Sequence, residues 1–231
     1  MESSHPGLQL IGAAASPYVT RVVMFARLKG VAFDWPPVPG DNPRSAAYHA
    51  LNPLGKVPGL VVNGEMIPES EVICEYLEDA YPEPSGLPAD VRGRTTSRLV
   101  ARITDLYISP NFRPLLPHLD PATRDHAEAE RIGAALAKAF RSLEFYMGPG
   151  AFCVGEVPTL GDCALGPYIQ LLKHMIFPAF EAIPDPTLDG RLATWWRALQ
   201  DHDLCKTCLD EYDAGVAAFL AENYTTLSEH N

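Results

Sequence analysis

The chain has 231 residues, enough for one large domain or two modest ones whose cores need no staples. Its formal net charge of -11 argues against nucleic acid as the main partner, because neutralising phosphates takes basic patches. No run approaches the roughly 18 apolar residues of a membrane span, no secretory signal is visible, and five cysteines without repeating spacing suit a reducing compartment, so a soluble cytoplasmic protein is expected.

Taken in chain order, residues 8–12 form a short apolar run that suits a buried strand. Ser16 and Pro17 read as an N-cap and a first helical residue. Val19, Val22, Val23 and Ala26 then recur at helical spacing until Gly30, a C′ glycine. A second strand fits residues 31–35, and residues 41–51 fit either a short helix or an irregular turn. Asn63-Gly64, flanked by residues 59–62 and 65–67, is the strongest hairpin signal in the chain. Ser70 opens a helix whose apolar face is Val72, Ile73, Tyr76, Leu77 and Ala80. A helix between the first two strands makes them parallel while the hairpin is antiparallel, so a mixed four-stranded sheet is expected.

Residues 82–88 are rich in proline and mark a boundary. Beyond them no strand pattern survives. Helical periodicity runs over 92–116, 121–147, 188–199 and 205–220, and Thr159 with Asp162 three residues on is a capping-box variant. The expected architecture is an α/β domain over 1–84 followed by an all-helical domain over 91–231.

Three places in the first domain carry chemistry. Val57-Pro58, directly before an apolar strand, fits either a cis bond in a tight turn or a trans proline opening an edge strand. The cis form would turn the Val57 main-chain groups outward, where an extended peptide could pair with them. Glu69-Ser70 begins a helix and suits an α-amino acid head group. Free N–H groups and the Ser70 hydroxyl would meet its carboxylate and Glu69 its ammonium; an ordinary serine cap with an acidic first turn is the plainer alternative. Ser16, where a strand gives way to a helix, could cap that helix and also donate to a sulfur anion, lowering a thiol from its ordinary value of about 8.5. No metal site is expected. Cys205 and Cys208 have redox spacing but lie in the helical tail, and they read as buried thiols.

In their order and spacing these motifs resemble the cytosolic glutathione transferases over nearly the full length. The first domain matches through Ser16-Pro17-Tyr18, residues 52–58 and residues 69–77, and the helical domain through residues 155–162. The resemblance implies a thioredoxin-like first domain in which Ser16 stabilises the glutathione thiolate. Val57, ahead of Pro58, would pair with the cysteinyl backbone, Glu69 and Ser70 would hold the γ-glutamyl group, and Lys56 would lie near the glycyl end. Arg44 and His49 are further candidate contacts.

The Ser-Pro-Tyr turn looks tau-like or bacterial. Ala14-Ala15-Ser16 stands where the zeta signature Ser-Ser-Cys would be, which weighs against maleylacetoacetate isomerisation. Glutaredoxins carry two cysteines at this turn, and Ser16-Pro17-Tyr18-Val19 excludes dithiol exchange there. The resemblance implies a second substrate, a small apolar electrophile, lying between the domains against Tyr18, Tyr107, Asn111, Phe112, Leu115 and Tyr168. It implies glutathione conjugation by a homodimer, with no nucleic acid or membrane partner. Peroxidase, β-etherase, dehalogenase and isomerase reactions would use the same thiolate. A non-catalytic interaction protein of the stringent-starvation kind is the rival reading.

Overall fold

In a computed structural model that describes residues 7–228 (222–228 by backbone alone), the first unit is built on three short strands. They are β1 (Leu8–Ile11), β2 (Gly59–Val62) and β3 (Glu65–Pro68), adjacent in that order and antiparallel throughout. The hairpin turns at Asn63 and Gly64 with φ of 51° and 87°, the left-handed pair that a two-residue turn requires. The fourth strand expected over 31–35 does not form. Asp34 instead makes a single parallel bridge to Gln9, with 2.8 Å bonds from Leu10 N–H to Asp34 C=O and from Asp34 N–H to Leu8 C=O. Pro36 and Pro37 follow Trp35 and have no N–H to donate, so the ladder does not run on beyond the bridge.

Helix α1 (Pro17–Leu28) ends as expected at Gly30, whose φ is 65°. Gly30 N–H donates to Arg27 C=O and Val31 N–H to Ala26 C=O, the two bonds of a Schellman motif. The undecided stretch resolves into a 3₁₀ turn at Pro39–Asp41 and helix α2 (Ala46–Leu51), capped by Ser45 accepting from Tyr48 N–H. Helix α3 (Ser70–Ala80) packs on α1. Lys29, 3% exposed, donates to Glu78 at 2.5 Å and to Pro84 C=O at 2.8 Å, while Ser85 Oγ donates to Glu78 at 2.7 Å. That buried pair fixes the end of the unit to both helices, just beyond a second cis bond at Glu83–Pro84.

The chain divides into one unit that ends at Ser85 and resumes at Thr207, and another spanning Gly86–Lys206. Helix α9 (Asp203–Ser228) thus contributes most of its length to the first unit, whereas the sequence assigns 91–231 to one helical domain. The second unit holds α4 (Val91–Ile103), α5 (Phe112–Leu115), α6 (His126–Tyr146), α7 (Leu160–Met175) and α8 (Gly190–Asp201). The periodicity over 92–116 is not one helix. After α4 the chain widens into a π turn at Thr104–Ile108 and tightens at Ser109–Asn111, because Pro110 and Pro114 cannot donate to the preceding turn. Likewise α6 starts five residues later than expected, where Asp125 accepts from Glu128 N–H. Among the described residues no helix is long and apolar enough to cross a membrane.

Asp162 organises the second unit. It is wholly buried, and its two oxygens accept from Thr159 N–H (2.7 Å), Thr159 hydroxyl (2.9 Å), Cys153 N–H (2.8 Å) and the Trp195 indole N–H (2.8 Å). One carboxylate therefore caps α7, holds the preceding loop and orients the core of α8. Burial, then the nearby Asp162, pushes the Cys153 thiol well up. Asp162→Ala would strand those donors, and stability measured by urea unfolding is expected to fall by about 3–5 kcal/mol, since each orphaned buried donor costs about 1–3 kcal/mol. Trp195→Phe, which removes one donor and keeps the ring stacking, should cost only about 1 kcal/mol.

Candidate functional site

Strand register brings three of the sequence motifs to one end of the sheet. Ile11, the last residue of β1, pairs with Gly59, the first of β2, and Gly59 pairs with Pro68, the last of β3. From that single row the chain leaves β1 toward Ser16, enters β2 from Val57-Pro58, and leaves β3 into Glu69-Ser70. Neighbouring strands lie about 4.8 Å apart, so the row spans about 10 Å. An extended tripeptide has about the same length.

Ser16 is half-buried and extended, and its side chain caps no donor of α1. This departs from the expected double role. The first-turn bonds go to the Ser16 carbonyl, from Val19 N–H, Thr20 N–H and the Thr20 hydroxyl, leaving the Ser16 hydroxyl to other work. Tyr18, half-buried, has its ring under the Arg21 guanidinium at 5.4 Å. Arg21 is 1% exposed and donates from Nη1 to Ser70 Oγ at 3.1 Å, joining α1 to the start of α3. A serine oxygen that accepts from a guanidinium keeps its own proton for a further acceptor.

Glu69, not Ser70, is the N-cap of α3. Its φ is 70°, a conformation that costs a non-glycine residue of order 1–3 kcal/mol and clusters at functional sites. It is exposed, and its carboxylate takes no described partner. An acceptor held in strain beside a helix N-terminus and a buried guanidinium fits a zwitterionic group.

The Val57–Pro58 bond is cis. No described hydrogen bond takes up the main-chain N–H or C=O of Val57, which is half-buried. The loop before it is held from behind. The Lys56 carbonyl accepts from the Tyr48 hydroxyl at 2.6 Å and from Asn52 Nδ2 at 2.8 Å, while Asn52 Oδ1 takes Leu54 N–H at 3.1 Å. Tyr48 and Asn52 are buried, so this is a rigid mount. The Lys56 and Arg44 side chains are exposed, and His49 on α2 lies against Gly55, which has no room for a Cβ on that side. Burial pushes the Tyr48 hydroxyl above its ordinary range, with the Asn52 hydrogen bond opposing.

Within the second unit, four of the expected wall residues gather around the π turn. Asn111 Nδ2 donates to Tyr107 C=O at 2.7 Å, the rings of Phe112 and Tyr168 meet edge-on at 6.3 Å, and the Tyr168 hydroxyl donates to Ser109 C=O at 3.1 Å. Tyr107 is 60% exposed, whereas Leu115 is fully buried and serves as core. All five cysteines are buried and none is in a disulfide, and burial raises the Cys208 thiol against the opposing pull of Arg27. Among the described residues no group of three or more His, Cys, Asp or Glu side chains is placed to hold a metal ion.

Arg21 and Tyr48 escape a motif search because their partners are remote or main-chain, and Asn52 opens the motif of residues 52–58 with no sign there of the carbonyl it holds. Of the first two, Arg21 alone leaves a trace, as a charged residue among the apolar positions of α1.

Residues 10–85 match the family model for the glutathione S-transferase N-terminal domain. The chain is 33% identical over 168 residues to maleylacetoacetate isomerase of Pseudomonas aeruginosa, covering 70% of this chain and 78% of that protein. It is 30% identical over 185 residues to glutathione S-transferase Z2 of Arabidopsis thaliana, covering 78% and 81%. Among solved structures it resembles maleylacetoacetate isomerase from Anaeromyxobacter dehalogenans 2CP-1 with bound GSH in the active site, with a TM-score of 0.67, 27% identity, and coverage of 89% of this chain and 96% of that one.

Tyr48→Phe removes one of the two donors to the Lys56 carbonyl and should cost about 1 kcal/mol at neutral pH. The raised hydroxyl adds a pH signature. Its stabilisation is complete below the unfolded value of about 10 and is lost as pH rises through the folded value. Urea midpoints across that window should fall less steeply for the Phe variant than for the parent.

Proposed function

The chain belongs to the glutathione S-transferase family, and from that premise we propose that it is a serine-type enzyme that binds glutathione along the row Ile11–Gly59–Pro68 and activates its thiol at Ser16. The register carries this reading, because it gathers Ser16, Val57 and Glu69-Ser70 at one edge over the length of the tripeptide. The family supplies the ligand, and the residues present suit it. Ser70, supported by Arg21, donates to the γ-glutamyl carboxylate and Glu69 accepts from its ammonium. Val57 offers an unpaired N–H and C=O to the cysteinyl unit, as an added strand would use them. Lys56 stands toward the glycyl end, with Arg44 and His49 as outlying contacts.

Glutathione, when bound, supplies a thiol whose ionised form adds to an electrophilic carbon. The protein's share is placement and charge. With its hydroxyl uncommitted to capping, Ser16 donates to the sulfur and holds the thiol proton off at neutral pH; each unit of lowered pKa is about 1.4 kcal/mol of preference for the anion. Tyr107, Asn111, Phe112 and Tyr168, gathered within the second unit, are the side chains we assign to the electrophile. Leu115 is left out because it is fully buried.

Two outcomes of thiolate addition fit this site. Conjugation follows when the adduct is kept, and cis–trans isomerisation when the thiolate is expelled again after rotation about the former double bond. Similarity to proteins named maleylacetoacetate isomerase favours the second, and it counts against the tau-like form suggested by Ser16-Pro17-Tyr18. Assaying a maleyl-type diacid beside a chlorodinitrobenzene-type aryl halide separates them. Binding of glutathione with turnover of neither would favour a docking protein instead. We propose a homodimer of the reducing cytoplasm, where five buried thiols outside any disulfide are at home.

Ser16→Ala should lower turnover at neutral pH by about tenfold or more while glutathione affinity holds, and the acidic limb of the kcat/KM profile should move up by about one unit or more. Equal profiles for variant and parent would remove Ser16 from the mechanism. Glu69→Gly should separate stability from binding. Relief of the left-handed backbone is expected to raise stability by about 0.5–1 kcal/mol, while loss of the carboxylate weakens glutathione binding by about tenfold, read by denaturation and calorimetric titration.

A further inference from the structure

We infer that Gly215 is a positioning residue for Ser16: having no side chain, it lets α9 seat the loop of residues 12–15 that delivers the serine. This rests on the glutathione reading above. A Cβ at Gly215 would meet the carbonyl carbon of Ala14 at 2.8 Å, its oxygen at 3.0 Å and its Cβ at 2.8 Å. Two of these are main-chain atoms, which cannot swing aside as a side-chain tip does. Ala14 stands two residues before Ser16.

The rest of the loop is committed on its other sides. Gly12 lies so close to Val19 that a Cβ would strike it, and its carbonyl accepts from Trp35 Nε1 at 2.9 Å. Ser16 N–H donates to Ala13 C=O at 3.0 Å. The loop therefore has fixed ends and rests one face on α9. That helix is itself anchored to α1, where Arg27 Nη1 lies 2.8 Å from Glu211 and 3.5 Å from Cys208 Sγ. Ala14 is itself exposed, so the loop has a solvent-facing side and can be displaced by a push from position 215. The loop gives way before the helix does.

Nothing in α9 itself asks for this glycine. Its φ is not in the left-handed region, and alanine is the better former of a helix interior. The contact with Ala14 is the remaining reason for it.

Gly215→Ala is the test. Turnover with glutathione should fall by about tenfold or more, because small misplacements of a reacting group are costly, and the acidic limb of the pH profile should rise as Ser16 loses the sulfur. Glutathione affinity should hold, since Val57, Glu69 and Ser70 are untouched. Without any ligand, hydrogen exchange at the Ser16 amide should quicken. Ala218→Gly, at an exposed position of the same helix, should leave every readout unchanged. Adding Ala14→Gly to Gly215→Ala removes one of the three contacts and should restore part of the activity. Ala14→Val presses the same contact from the loop side, should reproduce the pattern, and serves in place of an insoluble Gly215→Ala. A folded Gly215→Ala with unchanged turnover, pH profile and exchange overturns the inference. A parent without glutathione-dependent turnover overturns the functional reading instead, and the exchange rates then decide on Gly215 alone.

Discussion

Main-chain hydrogen bonding between β1, β2 and β3 sets everything at the candidate site. A ladder admits no half steps, so pairing Ile11 with Gly59 and Gly59 with Pro68 decides where three separate loops begin. A slip of one residue in either pairing would stagger the Ser16, Val57 and Glu69 segments and turn the apolar faces of the strands outward together. Burial of Leu8, Leu10 and Leu60 against the helices opposes such a slip. The geometry of the site is thus enforced by the core beneath it.

Around that row the protein spends its polar side chains on support. Tyr48 and Asn52 converge on one carbonyl, that of Lys56, and so fix the approach to Val57 from behind. Arg21 does the same for Ser70 across the α1–α3 contact. In both cases the supporting groups are buried, and Val57 and Ser70 are left with unused hydrogen-bonding capacity. The second unit shows the same economy in Asp162, which satisfies its donors from three segments with one carboxylate.

Much of this was legible in the chain. Asn63-Gly64, Gly30, Ser70 and the Thr159–Asp162 pair are local signals, each set by the conformation of a few residues, and each holds. Structure and local pattern part where missing donors cut the pattern short. Pro36 and Pro37 reduced an apparent strand to one bridge, and Pro110 and Pro114 broke an apparent helix into turns. Position alone marks Ser16 as a cap, yet its hydroxyl takes no part in capping. Arg21 and Ser70 are 49 residues apart, and no window of sequence contains that bond. The resemblance implies Leu115 as a wall residue, but its side chain is fully buried, which no pattern along the chain distinguishes from a pocket wall.

The five thiols point to a further property. Cys74, Cys153, Cys163, Cys205 and Cys208 are all withdrawn from solvent, and burial pushes the thiols of Cys153 and Cys208 up. Mixed-disulfide formation needs an accessible thiolate. A chain whose thiols are so withdrawn resists forming mixed disulfides with small thiols in its surroundings.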